Sequence, residues 1–312
     1  MCNKIIDVKM FDDIDVLKEL AKTWHAYYNF RMSCLSLKNS EYLLSILSLI
    51  LNPANNYEYK DIAMISYGIL EEYHSKHKEF RILKEVLNGD YDSSVFSKII
   101  SLVEDKEIII DKKYDEDIEY IDSLDLDPIL KLLVYQKISY EYVKEYQGCF
   151  IICRVVFNIY SYKLKLLDTP ILYPYQFFEA SMNGSSDKES IIRYLKFLRG
   201  ICLYAVDTIS FVHENLIVLR NQLLLNKTFK KLTDSSIFYI IFITPYIRIV
   251  DLMDMFDWKR DKAARLLSKL REEGLFMETK VKKEKIFINK YIINLFESGA
   301  STKPEEFLSK FV

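Results

Sequence analysis

Three groups of residues in this sequence could do chemistry: a pair of histidines, a pair of cysteines and a series of regularly spaced cations. His74 and His77 stand one helical turn apart, a spacing at which two imidazoles could hold a metal. No third ligand lies near them and Lys76 and Lys78 flank them, so a solvent-facing helix is the simpler reading and no metal is expected. Cys149 and Cys153, four residues apart, could take a soft metal, but thiols in such apolar company behave as small buried hydrophobes. His25 and His213 are single histidines in apolar sequence and read as structural. The cations are more promising. Lys259, Lys262 and Arg265 recur at helical spacing with Lys269 one turn on, and Lys280, Lys282, Lys283 and Lys285 follow. From Trp258 to Lys285 ten Lys or Arg residues face five acids. A basic helix with a basic turn could enter a nucleic-acid groove and rest on phosphates. A basic packing or dimerisation surface is the alternative. No P-loop, dinucleotide fingerprint, H-E-x-x-H or nucleophile elbow occurs.

The elements that would position these residues are mostly helical. Apolar positions recur every three or four residues over 8–30 and 40–51, with Asn52-Pro53 closing the second run. Tyr57–Lys76 and Glu79–Leu87 continue the pattern to Asn88-Gly89. Residues 104–127 hold eleven acids against three lysines and one β-like run, Ile108-Ile109-Ile110, which predicts a solvated connector or small hairpin. Asp127-Pro128 is a helix start for an apolar block running to Leu167, and Asp168-Thr169-Pro170 ends it. Residues 187–226 predict one or two long helices around Gly200, apolar on more than one stripe and so central.

After a linker or cap at Thr233-Asp234-Ser235 the texture changes. Ile237–Ile243 and Ile247–Phe256 read as helices, and Asp257 as the cap of a third, Trp258–Glu273, stopped by Gly274. Leu275–Thr279 and Lys285–Asn289 read as strands around the lysine-rich turn, before a last helix at Tyr291–Phe296. Three helices and a β-hairpin make the winged-helix order. The expected fold class is therefore mainly α: a helical bundle followed by a small α/β module. The divisions expected are an N-terminal helical region over 1–95, a core over 96–230 and the winged helix over 235–312.

Composition is consistent with this and limits function little. The chain has 312 residues, half of them hydrophobic, with a net charge of -2, so no general affinity for nucleic acid, membrane or acidic partners follows. Seven glycines and six prolines favour long helices over turn-rich sheets. Five scattered cysteines suit a reducing compartment better than a disulfide framework. Neither a signal-peptide pattern nor an apolar run of ~18 residues is read, so a soluble cytoplasmic protein is expected.

Two stretches carry a resemblance. One is Pro170-Ile171-Leu172-Tyr173 with Phe177-Phe178, Ile191–Phe197 and Gly200. The other is Asp127-Pro128-Ile129-Leu130-Lys131. Together they resemble the segments that flank the catalytic loop of the Fic family, over roughly residues 55–295 and most weakly before 127, and a winged-helix tail is a common companion in that family. The family's H-P-F-x-D-G-N-G-R-x-x-R loop then falls, without gaps, on Val143–Arg154.

The resemblance implies transfer of AMP from ATP to a protein hydroxyl, but the residues at the matching positions do not. Val143 stands at the general-base histidine and cannot accept a proton. Gln147 stands at the acid that holds magnesium, and an amide is a poor ligand for that cation. Cys149 and Ile151 stand at the phosphate-binding asparagine and arginine, and Phe150 at the second glycine. Gly148 and Arg154 match, Arg154 as a weak phosphate contact that could instead pair with Glu141 or Glu145. Phe150, Ile151 and Ile152 are expected to pack as core, worth ~1.5–3 kcal/mol for each large side chain buried. Arg31–Leu37 is a poor match to the family's inhibitory helix, with Ser36 at its glutamate. The expectation is a catalytically degenerate Fic-like protein, regulatory or binding, without a cofactor. Its expected partners are duplex DNA or a protein at the winged helix, with a homodimer left open and no membrane. The alternative is a Fic-type nucleotidyltransferase with an altered site. The DNA contacts expected are Lys259, Lys262, Arg265, Lys269, Lys282 and Lys283.

Overall fold

The computed structural model describes residues 7–35, 82, 86, 91–166, 187–225, 246–281 and 283–290. A short 3-10 turn, Val8–Asp12, leads into α1 (Ile14–Leu35). Then come α2 (Ser93–Glu104), α3 (Lys113–Ser123), α4 (Pro128–Val143), α5 (Cys149–Lys163) and α6 (Asp187–Leu225). A terminal module follows: β1 (Tyr246–Arg248), α7 (Ile249–Phe256), α8 (Arg260–Glu272), β2 (Phe276–Val281) and β3 (Glu284–Asn289). The chain is mostly helical with a small antiparallel sheet, as the sequence predicts.

The two central helices are those whose sequences lack a polar face. In α5 every residue from Ile152 to Ser161 is buried, and α4 buries Ile129, Leu130 and the run from Leu132 to Gln136. Pro128 sits in the first turn of α4, where its missing N–H costs nothing, and the Asp127 carboxylate accepts from the Ile129 N–H at 2.8 Å. Outside this pair α1 packs along α6. The Thr23 hydroxyl donates to the Leu195 carbonyl at 3.0 Å, and Glu19 pairs with Arg199. Residues 187–225 form one continuous helix through Gly200.

The acidic stretch 104–127 departs from expectation. It is neither connector nor hairpin but carries α3, whose Tyr114, Ile118 and Ile121 are buried at positions i, i+4 and i+7. Asp117 is buried too and accepts from the Tyr142 hydroxyl at 3.2 Å. The acids lie mainly on the outer face, so net charge concealed an ordinary amphipathic helix. Ile108–Ile110 is neither helix nor paired strand. The Ser101 and Ser97 hydroxyls hold its N–H groups at 2.8 and 2.9 Å, and Ile109 points outward.

In the terminal module the strand order is β1-β3-β2. Tyr246 pairs with Ile288 and Met277 with Ile288, whereas Ile247 and Glu278 flank Phe287. Alternation then gives the sheet two buried faces. Tyr246, Ile286 and Ile288 join the main apolar cluster of the bundle. Ile247, Phe276 and Phe287 join a second cluster with Leu252, Ala263, Leu267 and Leu270 of α7 and α8. Two local expectations are corrected here. Residues 246–248 form a strand, so the helix expected from Ile247 starts at Ile249, where the Asp251 carboxylate accepts from the Arg248 N–H at 2.7 Å. Asp257 does not cap α8. It adopts a left-handed conformation (φ 50°) that ends α7, and Lys259 precedes α8 instead. Gly274 (φ 77°) stops α8 as expected: its N–H reaches Arg271 O and the next N–H, of Leu275, reaches Leu270 O, both at 3.0 Å.

Candidate functional site

The segment that the resemblance aligns with the Fic loop runs from the end of α4 through a tight turn into the start of α5. Lys144 N–H bonds back to Tyr140 O, Tyr146 N–H to Val143 O and Cys149 N–H to Tyr146 O, at 2.9, 2.9 and 3.1 Å. The last of these bonds occupies the first backbone donor of α5, at the helix start where an anion would otherwise be held. The Gly148 N–H is taken as well: it donates to Glu104 Oε1, at the end of α2, at 2.6 Å. A carboxylate of the chain itself therefore stands at the positive end of α5. Gly148 has φ -85°, a conformation open to any residue, so left-handed freedom is not its purpose. Its purpose is space: an added Cβ would lie 2.1 Å from Val103 Cγ1 and 2.9 Å from Glu104 Oε1.

The side chains follow the same pattern. Val143 and Cys149 are buried, Gln147 is exposed, and Phe150 and Ile151 are half-buried at the helix start. Arg154 is 1 % exposed, with its guanidinium 5.3 Å from the centre of the Phe150 ring. Glu141, offered above as its partner, lies on the exposed surface and pairs with Lys144 at 2.8 Å. Cys149 Sγ and Cys153 Sγ are 3.9 Å apart. Burial, then the neighbouring thiol, pushes the Cys153 thiol up, which opposes the thiolate that metal binding or nucleophilic attack would need. Among the described residues no group of three or more His, Cys, Asp or Glu could hold a metal ion. Nearby, the hydroxyls of Tyr91, Tyr114, Tyr160 and Ser139 join in one buried network, and burial pushes Tyr114 up to about 12. These tyrosines satisfy one another inside the bundle. A cavity of about 40 Å³ between α1, α4, α5 and α6, lined by Tyr27, Phe30, Phe157 and Leu198 among others, is too small for a nucleotide.

The second candidate surface is on the terminal module. Ala263, Leu267 and Leu270 anchor α8, leaving Lys259, Arg260, Lys262, Arg265 and Lys269 exposed. Lys262 Nζ sits 3.9 Å over the Trp258 ring, and Arg265 Nε donates to Asp261 O at 3.1 Å. Arg260 and Trp258 belong to this surface although the spacing argument passed over them. Their adjacency to Lys259 was the available signal. Lys280 and Lys283 are exposed on the hairpin, and Lys282 lies outside the described residues. Lys285 does not load the hairpin with free charge as expected. It pairs with Glu278 at 2.7 Å, as Arg271 does at 2.6 Å, and these cations hold the Glu278 carboxyl below its usual range. The positive surface is thus weighted toward the first half of α8.

Of the remaining sequence candidates, His74, His77 and Ser36 lie outside the described residues, as does the side chain of His213. So do Pro170–Tyr173 and Phe177-Phe178. His25 is exposed on α1, not set in apolar surroundings, and its Nε2 lies 3.2 Å from Asn29 Nδ2. No described helix is long and apolar enough to cross a membrane.

The profile of one family, the C-terminal domain of SoFic-like protein adenylyltransferases, matches residues 209–292. The match takes in the end of α6 and the terminal sheet module, and it supports Fic-family membership. No curated protein matches the chain.

Proposed function

We propose that the chain is a catalytically degenerate Fic-like protein that acts by binding, with its terminal module serving as a winged helix that contacts duplex DNA. The observation that carries the first part is the Glu104 carboxylate on the Gly148 N–H, at the helix start where a Fic loop would receive phosphate. A nucleotide phosphate there would meet a like charge and a helix start whose Gly148 and Cys149 N–H groups are already used. Val143 offers no base and Gln147 no anionic metal ligand, so each requirement of AMP transfer fails separately. Arg154 alone is a weak phosphate contact, and it lies under Phe150.

For the second part, the strand–helix–helix–hairpin order and the exposed cations of α8 support groove and phosphate contact through Lys259, Lys262, Arg265 and Lys269, with Lys283 on the hairpin and Lys282 its neighbour in sequence. A protein partner at the same module is compatible with this reading. The family match, which is to the terminal domain of adenylyltransferases, favours the alternative of a nucleotidyltransferase with an altered site. Incubation of the full chain with magnesium and ATP labelled on the α-phosphate separates the two. Degeneracy predicts no label on the chain or on added protein, and covalent label lost on replacing Arg154 would establish the transferase.

A further inference from the structure

The charges of α8 are sorted around the helix in a way that their count hides. Ala263, Leu267 and Leu270 are buried in the second apolar cluster and fix which side turns inward. At 100° per residue, Asp261, Arg265 and Glu272 each fall within about 30° of the opposite, outward direction. All three are exposed. Lys262 and Lys269, also exposed, stand together on one flank about 50–75° away, and half-buried Ser268 stands on the other. Arg260 lies about 130° away, toward the inward side.

Two of the three outermost residues are therefore acids. Phosphate contact accounts for the flank but not for this ridge, where a carboxylate would repel a DNA backbone. A carboxylate does suit the edge of a base, because cytosine presents its N4 amino group as a donor in the major groove. Arg265 follows Asp261 by one turn. Its Nε donates to Asp261 O at 3.1 Å, so the arginine is fixed on the backbone carbonyl and not on the Asp261 carboxylate. That bond uses Nε and leaves the two Nη groups, which match O6 and N7 of guanine.

We propose that this ridge reads sequence: Arg265 a guanine and Asp261 a neighbouring cytosine, while Lys262 and Lys269 rest on the phosphates of one strand. The inference rests on the DNA reading of the terminal module and sharpens it, from a basic surface to a sequence-specific binder of sites that hold G·C pairs. Discrimination then has a repulsive part. At a wrong sequence the Asp261 carboxylate would face another acceptor, such as thymine O4 or a purine N7. Glu272 lies roughly 10 Å along the helix from Arg265 and, with exposed Glu273, marks the far limit of the contact.

Selection of duplexes from a random-sequence library by the full chain tests this, followed by anisotropy titration of the enriched site and its single-base variants. The enriched site is expected to hold a guanine and a cytosine within a few positions of each other. Arg265→Lys keeps the charge but loses the planar fork. It should cut the preference for that guanine by about 5–100-fold and leave the salt dependence almost unchanged. Asp261→Asn should release the cytosine preference and tighten binding to unrelated duplexes, because a like charge is removed. Lys262→Ala should weaken all sequences alike and flatten the salt slope by about one unit. All three side chains are exposed, so none of these changes disturbs the core. A library bound without enrichment overturns this inference and leaves the DNA reading standing. So does a guanine preference that survives Arg265→Lys. A chain that retains no duplex overturns both.

Discussion

Gly148→Ala is expected to destabilise the chain by at least about 2 kcal/mol, the upper part of the usual cost of forcing an extra methyl into packed structure. The methyl would stand 2.1 Å from Val103 Cγ1, well inside contact distance, and 2.9 Å from Glu104 Oε1. Something must shift. Val103 is a buried, β-branched side chain of α2 with few rotamers to retreat to, so relief would come from moving α2 away from α5. That movement would lengthen the 2.6 Å bond from Gly148 N–H to Glu104, a charge-assisted bond worth about 1.5–3 kcal/mol. The two losses share one displacement and will not simply add. Urea unfolding followed by circular dichroism would record the midpoint, and an unchanged midpoint would contradict the packing account. The prediction bears on function because it gives Gly148 a reason to persist that has nothing to do with phosphate.

The second large effect concerns the basic face of α8. Replacing Lys259, Lys262 and Arg265 with alanine is expected to weaken duplex DNA binding by about 10–100-fold in low salt and to flatten the dependence of log affinity on log salt by about 2–3 units, roughly one per lost phosphate contact. These side chains are exposed and alanine favours helix, so stability should be almost unchanged. Arg271 and Lys285 serve as internal comparison. Both are tied to Glu278, so replacing Lys285 should alter the slope much less. Gel-shift or anisotropy titrations at several salt concentrations make the measurement. Equal affinity for the parent and triple variant would move DNA binding off this surface.

What the sequence disclosed and what it hid differ for physical reasons. Features governed by local chemistry were legible: the Asp127-Pro128 start of α4, the Gly274 stop, the hairpin around the lysine-rich turn and the basic spacing on α8. Each depends on a few neighbouring residues and a fixed backbone rule. The start of β1 was not legible, because three residues beside a helix have no period of their own and pair only with distant Ile286–Ile288. Helix α3 was missed because its apolar i, i+4, i+7 pattern was weighed against net charge and lost. At the candidate site, the resemblance implied which groups would be missing but not what stands in their place. Glu104 lies 44 residues before Gly148, inside a run of acids, and nothing local marks it as the group that meets the helix start. The pairing of Lys285 with Glu278 is likewise a cross-strand event that a count of lysines cannot show.

The proposed degeneracy rests on an anion site filled from within, so that no nucleotide is taken. Isothermal titration of the full chain with ATP and magnesium tests this most directly. No saturable heat is expected, with or without the metal. Tight binding that requires magnesium would contradict it, because it would require Glu104 to yield the Gly148 N–H and Gln147 or a neighbour to support the cation.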